Sequence, residues 1–322
     1  MTLLPSQSCP PTDSLLAIEI GGTKLQVCAG GADGTIIDRR VFVVDRRAGA
    51  DGIRGRIEEA LPALLAAHRP RAVGVGYGGP VDWRTGRIWR SYHIEGWSDF
   101  PLGDWLRSLT ALPVHVDNDG NVAALGEACR GAGRGRSPVM YVTLGSGVGA
   151  GLVIGESIYH GDTPGELELG HVRLNEAGLT VQQRCSGWAV DAIVREAAMA
   201  HPSSILGGLV RDNANVVEGG ESKCLGPALD RACPLATQIL RDTMHQLAFA
   251  LSHATHLLHP QVIVIGGGLS LLGEPLRAAL AAELPRFLMD AFAPGPIIAL
   301  AELKEDAVPV GALVLAGRCG DK

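Results

Sequence analysis

The sequence predicts an α/β protein of two similar lobes, and three observations carry that prediction. The 322 residues suffice for about two domains at roughly 150 residues each, and hydrophobic residues, 46% of the chain, supply a core for both. Each half opens on an apolar strand, a glycine-rich turn and a returning strand, then continues in helix–strand units, an approximate internal duplication. Glycine, 43 residues in all, gathers at the ends of apolar runs, where it lets backbone turns lie close to a ligand.

The elements follow in order. Residues 14–20, SLLAIEI, read as a buried strand, GGTK as a tight turn and 25–30 as a returning strand. A second turn, GADG at 31–34, leads into 35–44, so the chain opens on three antiparallel strands. A helix spans 51–68 with a bend at Pro62, and 71–77 is a buried strand. A short helix lies between Trp97 and Thr110, 112–116 is a strand, and 121–133 is a helix that runs out in glycines. The pattern then restarts with a strand at 138–144, the turn GSGVG and a returning strand at 150–155. Helices at 186–200 and 234–258 precede a strand at 261–265, a triple-glycine turn and a helix from about 269. A strand at 296–303 and a helix at 309–318 close the chain. Residues 1–13 read as a disordered tail, and 201–232, rich in Gly, Ser, Asn and Pro, as an insertion.

Composition excludes several classes of function. The net charge is −6 and the basic runs stop at Arg39-Arg40 and Arg46-Arg47, which argues against a nucleic-acid surface. Seven scattered cysteines without a CxxC pair argue against a disulfide framework and for a reducing cytoplasm. The first residues lack the charged and apolar regions of a signal peptide, and no apolar run approaches the roughly 18 residues of a membrane span.

Four glycine clusters invite a nucleotide reading. The stretch Glu19 to Lys24, EIGGTK, lacks the spacing of a Walker loop and leads into a strand, and GSGVGAG (145–151) is followed by LVI where a dinucleotide fold needs a helix. GVGYGG (74–79) runs into PVDW, and after Gly266-Gly267-Gly268 the next required glycine position holds Leu271. A dinucleotide site is therefore disfavoured. Any one such hairpin is first of all a tight turn. Two at matching places in a duplicated chain fit backbone N–H groups that approach phosphate oxygens, with Thr23, Thr143 and Ser146 adding hydroxyl donors.

Asp117-Asn118-Asp119-Gly120-Asn121 stands between a strand and a helix. One of these residues caps the helix, but four polar side chains exceed what a cap requires. A carboxylate at the carboxyl end of a strand can accept a proton from a sugar hydroxyl. The stretch Glu166 to His171, ELELGH, reads either as an alternating strand with a solvated face or, through Glu168 and His171, a carboxylate and an imidazole three residues apart, as hydrogen-bonding partners for adjacent hydroxyls. The helical histidines 245, 253, 256 and 259 lack acidic or cysteine companions at ligand spacing and read as surface or interface residues.

Taken in order, these motifs resemble the ROK family (repressors, open reading frames and kinases), within it the glucokinase-like members, from about residue 15 to 318. The motifs are EIGGTK (19–24), GVGYGGPVD (74–82), NDGN (118–121) before AALGEA, TLGSGVGAG (143–151), ELGH (168–171) and VIGGGLS (264–270). The resemblance implies a two-lobed actin-like ATPase (ribonuclease H-like) fold with an interlobe cleft, Mg-ATP as donor, a hexose as acceptor and a homodimer. The lobes are expected at 14–118 plus 303–322 and at 119–302. Carried over by position, Asp119 is the general base, and Gly79, His93, Asn118, Glu168 and His171 contact the sugar. Gly21, Gly22, Thr23 and Lys24 cradle phosphates together with Thr143, Gly145, Ser146 and Gly147, and Gly266, Gly267 and Gly268 line the nucleoside.

The chain departs from the family pattern at three places. Glu19 stands where the family has Asp near magnesium, which fits metal contact through water. Of the zinc motif only Cys185 is present, in VQQRCSGW, so no structural zinc is expected, and packing around Trp188 is expected in its place. His93 occupies the place of a sugar-binding Asn. With the phosphate motif beginning at residue 19, no N-terminal helix-turn-helix is expected. Two other readings stand beside the ATP-dependent kinase: a non-catalytic sugar sensor on the same fold, and a kinase that takes polyphosphate as donor.

Overall fold

The computed structural model describes residues 13–91, 94–212 and 219–318. The expected tail lies outside the described residues apart from Asp13, and His93 lies outside them as well. The chain forms two compact units, each built on a five-stranded mixed sheet.

The first unit opens with β1 (Leu15–Ile20), β2 (Lys24–Gly30) and β3 (Ile36–Val43), followed by α1 (Gly49–His68) and β4 (Val73–Tyr77). A two-stranded hairpin of β5 (Val81–Asp82) and β6 (Arg87–Ile88), then α2 (Leu102–Thr110), β7 (Val114–Asn118) and α3 (Asp119–Arg130) complete its main stretch. Its sheet order is β3-β2-β1-β4-β7: β1 pairs antiparallel with β2 and parallel with β4, and β4 pairs parallel with β7. The apolar run of β1, broken only by Glu19, is explained by cover on both faces. Leu16, Ile18 and Ile20 pack with Ile53, Ile57 and Leu64 of α1, while Leu15 and Ala17 pack with Val122, Ala312 and Leu313 on the other side. Helix α1 continues through Pro62 to His68.

The second unit repeats the plan. It contains β8 (Val139–Leu144), β9 (Val148–Ile154), β10 (Ser157–Ile158), α4 (Gln182–Cys185), α5 (Gly187–Ala200), α6 (Ile205–Asp212), α7 (Leu225–Asp230), α8 (Pro234–Leu258), β11 (Val262–Gly266), α9 (Glu274–Glu283) and β12 (Ile297–Leu300). The sheet order β10-β9-β8-β11-β12 has the same alternation of antiparallel and parallel pairs as the first sheet. The duplication seen in the sequence is thus a duplication of topology. Met140, Val142, Ile263 and Ile265 carry the core, with Leu247 and Leu251 of α8 and Leu276 and Leu280 of α9 packed against them. The stretch read as an insertion contains α6 and α7, which bury Leu206, Leu225 and Ala228 in that core. Among the described residues no helix is long and apolar enough to cross a membrane.

The chain then returns to the first unit as α10 (Ala307–Gly317). The units differ from the expected lobes. The first extends to Arg130 and also takes in His160–Glu166 and the chain from Asp306 onward, so α3 belongs with β7 rather than with the second sheet. The physical reason is close packing between helices and sheet. A Cβ on Gly311 would run into the Val122 carbonyl, one on Gly126 would stand 2.5 Å from the Ala307 carbonyl oxygen, and one on Gly74 would run into the Ala312 carbonyl. Glycine at these three points lets α10 lie against both α3 and β4 at backbone distance.

Gly311→Ala therefore costs roughly 3 kcal/mol by urea unfolding, the upper end for overpacking a core. Gly55→Ala, in the exposed middle of α1 where a Cβ meets nothing within 4 Å, gains roughly 0.5–1 kcal/mol in the same assay.

Candidate active site

Strand register builds the first part of the site. Ile20, Tyr77 and Asn118 lie abreast on β1, β4 and β7, so Gly21, Gly78 and Asp119 follow one another at the carboxyl ends of three adjacent parallel strands. Gly78 N–H donates to the Ile20 carbonyl at 2.9 Å. A Cβ on Gly78 would lie 3.3 Å from Asp119 Oδ2 and 3.6 Å from Gly21 Cα, which puts the carboxylate beside the β1–β2 turn. Asp119 is partly exposed. No loop separates β7 from α3. Asn118 is the cap: its Oδ1 accepts from the N–H groups of Gly120 (2.8 Å) and Asn121 (3.3 Å), and its Nδ2 donates to the Gly79 carbonyl at 3.2 Å.

The β1–β2 turn is closed by Gly21 N–H to the Lys24 carbonyl at 2.9 Å. Among the described residues the N–H groups of Gly22 and Thr23 have no acceptor, so two consecutive donors are presented by one turn. That is the arrangement that binds anions. Glu19, one residue before the end of β1, accepts from Gln26 Nε2 at 2.6 Å and stands 3.9 Å from Lys24 Nζ.

The second unit holds a matching turn. Gly145 N–H donates to the Gly147 carbonyl at 3.0 Å, and the N–H groups of Ser146 and Gly147 again lack an acceptor among the described residues. Gly187 N–H donates to the Gly145 carbonyl at 2.6 Å, so the first turn of α5, capped by Ser186, sits beside this hairpin and adds the positive end of its dipole. Gly266 pairs with Thr143, and Gly267 (φ +80°) rests on the Leu144 backbone, where a Cβ would come within 2.6 Å. Gly268 opens the 3-10 turn that follows. Thr143, the glycine hairpin and the triple glycine therefore share one end of the second sheet.

Sequence reasoning missed a buried network next to Asp119. Asp117, 3% exposed, accepts through Oδ1 from Asn118 N–H (2.8 Å) and Asn121 Nδ2 (2.9 Å), and through Oδ2 meets His160 Nε2 at 2.6 Å. Asn121 Nδ2 also donates to the Gly165 carbonyl at 2.9 Å. Trp83 stacks on the His160 ring at 4.2 Å, Arg84 donates to Thr163 Oγ1 at 3.0 Å, and Val81 N–H donates to Glu166 Oε1 at 2.7 Å. Segment His160–Glu166 is thereby strapped to the β7–α3 junction and to the β5–β6 hairpin. The only local signal was the surplus of polar residues around Asp119.

The chain matches the ROK family over residues 15–318. It belongs to that family. A glucokinase of Halalkalibacterium halodurans is 31% identical over 310 residues, covering 92% of each chain. The crystal structure of a ROK family glucokinase from Streptomyces griseus, in complex with glucose and AMPPNP, aligns with TM-score 0.82 at 30% identity over 94% of this chain and 99% of that one. A ROK hexokinase from Thermus thermophilus aligns with TM-score 0.74 at 25% identity. These neighbours place the two repeated sheets in the actin-like ATPase fold.

Against the ROK pattern, the remaining motif residues fall as follows. Glu168 precedes and His171 ends the 3-10 turn Leu169–His171 rather than lying along a strand, and Gly170 within it packs against the Val148 carbonyl. Their side chains are exposed, with His171 Nε2 3.8 Å from Glu168 Oε2. Among the described residues no group of three or more His, Cys, Asp or Glu could hold a metal ion. Cys185 is buried and donates to the Thr243 carbonyl at 3.7 Å, and burial pushes its thiol up to about 12. Trp188 is 52% exposed and does not fill the place expected of it; Val181 and Val190 pack with Cys185 instead. The helical histidines are engaged within their own unit: His245 with Glu283 at 2.8 Å, His253 against Phe249, His256 with Met289 N–H and His259 stacked on Phe292.

The Asp117–His160 pair has a measurable signature. His160→Phe keeps a ring against Trp83 but strands the buried carboxylate, and lowers stability by about 1–3 kcal/mol. In the Asp117→Asn/His160→Phe double variant the loss by urea unfolding is smaller than the sum of the two single losses, because no buried charge is left unpaired.

Proposed function

We propose that the protein is an ATP-dependent hexose kinase that transfers the γ-phosphoryl group to a sugar hydroxyl, with glucose the leading acceptor and Asp119 the general base. The observation that carries this reading is the carboxylate of Asp119 beside a turn that presents two backbone N–H groups without an acceptor among the described residues. Kinship with glucokinases over nearly the whole chain supports the acceptor class and the donor.

In this reading the Gly22 and Thr23 amides take phosphate oxygens, and the matching Ser146 and Gly147 amides with the Gly266–Gly268 turn serve the rest of the nucleotide. Asn118, Gly79, Glu168 and His171 bind sugar hydroxyls. Asn118 is already oriented by its bond to the Gly79 carbonyl, so its remaining amide hydrogen is directed. Asp119 accepts the proton of the attacking hydroxyl as the phosphorus–oxygen bond to ADP breaks and the bond to the sugar oxygen forms. Phosphoryl transfer asks little covalent chemistry of the protein, so placement of these donors and one base does most of the work.

The residues also fit magnesium held mainly by phosphates and water, since that ion takes only one or two carboxylates from a protein. Glu19 supplies one near the turn, already bonded to Gln26, which suits an outer-shell contact. Magnesium held there with ATP would supply charge neutralisation for the transferred phosphoryl group. The same reading takes a homodimer as the assembly and the cytoplasm as the compartment, with no nucleic-acid partner, the last supported by the net charge of −6. Light scattering checks the dimer.

A coupled ADP-release assay across a sugar panel tests the reading, with ATP and polyphosphate compared as donors. Asp119→Asn should lower kcat by roughly 10²–10⁴-fold with little change in melting temperature. Turnover close to wild type in that variant removes Asp119 from the role. Sugar binding without any turnover in the wild type turns the assignment to a sensor.

A further inference from the structure

We infer that Arg46 is a positioning residue for the donor phosphates, acting through the Gly22–Thr23 peptide; this rests on the kinase reading above. Arg46 opens the 3-10 turn Arg46–Ala48 just after β3, a turn capped by Asp45, whose Oδ1 accepts from Arg47 N–H at 2.9 Å. From there Arg46 Nε reaches back across 24 residues and donates to the Gly22 carbonyl at 3.0 Å. One residue away, Val44 N–H donates to the Thr23 carbonyl, also at 3.0 Å. Segment Val44–Arg46 therefore ties down both consecutive carbonyls of the turn, while the amides of Gly22 and Thr23 have no acceptor among the described residues.

Peptide planarity turns that anchoring into a functional statement. The Gly22 carbonyl and the Thr23 N–H belong to one trans peptide and point in opposite directions. Fixing the oxygen fixes the direction of the N–H. Without the guanidinium, a peptide flanked by glycine can rotate at low cost and turn its carbonyl oxygen toward the anion. A Cβ at Gly22 would lie 3.4 Å from Arg46 Nη2, so the side chain lies flat against this residue.

Charge adds to geometry. A cationic donor on the carbonyl polarises the peptide and strengthens its N–H as a donor. The neighbouring arginines 39, 40, 54 and 56 are each paired with a carboxylate. Arg46 has no carboxylate partner among the described residues, so no ion pair draws its guanidinium, which is exposed to solvent, away from the turn. A lysine would keep the charge but lose the planar fork that lies along the peptide.

The test compares wild type, Arg46→Ala and Arg46→Lys for KM of ATP, KM of the sugar, melting temperature, and AMPPNP affinity by calorimetry without sugar. Arg46→Ala should weaken AMPPNP and raise KM of ATP by roughly 5- to 20-fold, the loss of one charge-assisted bond, with the sugar KM within about 2-fold and the melting temperature held. Arg46→Lys should fall between. Unchanged AMPPNP affinity overturns the inference while leaving the kinase reading intact, and so does a parallel rise of both KM values with a lower melting temperature. If the wild type binds AMPPNP but phosphorylates no sugar, the kinase reading fails and the calorimetry still decides the role of Arg46. Absence of AMPPNP binding in the wild type overturns both.

Discussion

The close seating of α3 and α10 over β4 is the constraint on which the candidate site depends. Gly74, Gly126 and Gly311 remove the side chains that would hold these backbones apart. Because α3 springs directly from β7, its seat decides where Asp119 stands: the Asp119 Cα is 3.6 Å from the point a Cβ on Gly76 would occupy. In-register pairing of β1, β4 and β7 then brings Gly21 and Gly78 to the same edge. A small shift of α3 would carry the carboxylate away from the turn while leaving every hydrogen bond of the sheet in place.

The two glycine hairpins follow one design at equivalent positions of the repeated sheets. In each, one amide closes the turn internally and two others are left as donors. Such a cradle is made of main chain, so it depends on how carbonyls are held back rather than on which side chains surround it. In the first unit Val44 and Arg46 hold them; in the second Gly187 N–H holds the Gly145 carbonyl, and the Gln182 side chain accepts from Val148 N–H at 3.3 Å. The carboxylates near the first turn are balanced differently. Glu19 is answered by Lys24 and Gln26, and Asp117 is sealed against His160. Asp119, like Glu19, stays partly open to solvent, whereas Asp117 is buried.

Much of this was legible in the sequence. Continuous apolar runs marked β1, β4, β8 and β11 because both faces of each are covered, and glycine marked the turns because a backbone approach leaves no room for Cβ. The NDGN motif announced a strand-to-helix junction, and Asn118 is its cap. The boundary between units was misplaced because α3 has the same apolar pattern whichever sheet it joins. Only the facing of Gly126 with the backbone around Gly311, nearly two hundred residues on, assigns it. His160 was overlooked for a similar reason: 43 residues separate it from Asp117, and neither carries a spacing that points to the other.

By itself the sequence determined the kind and order of the elements, the duplication and the residue types that chemistry requires, because these follow from local periodicity and turn stereochemistry. The tertiary structure alone decided which side chains meet. The pairing of Arg46 with Gly22, of His160 with Asp117 and of Asp119 with the first glycine turn comes from strand register and helix seating. Those are set by packing between segments far apart along the chain, where neither composition nor spacing leaves a trace.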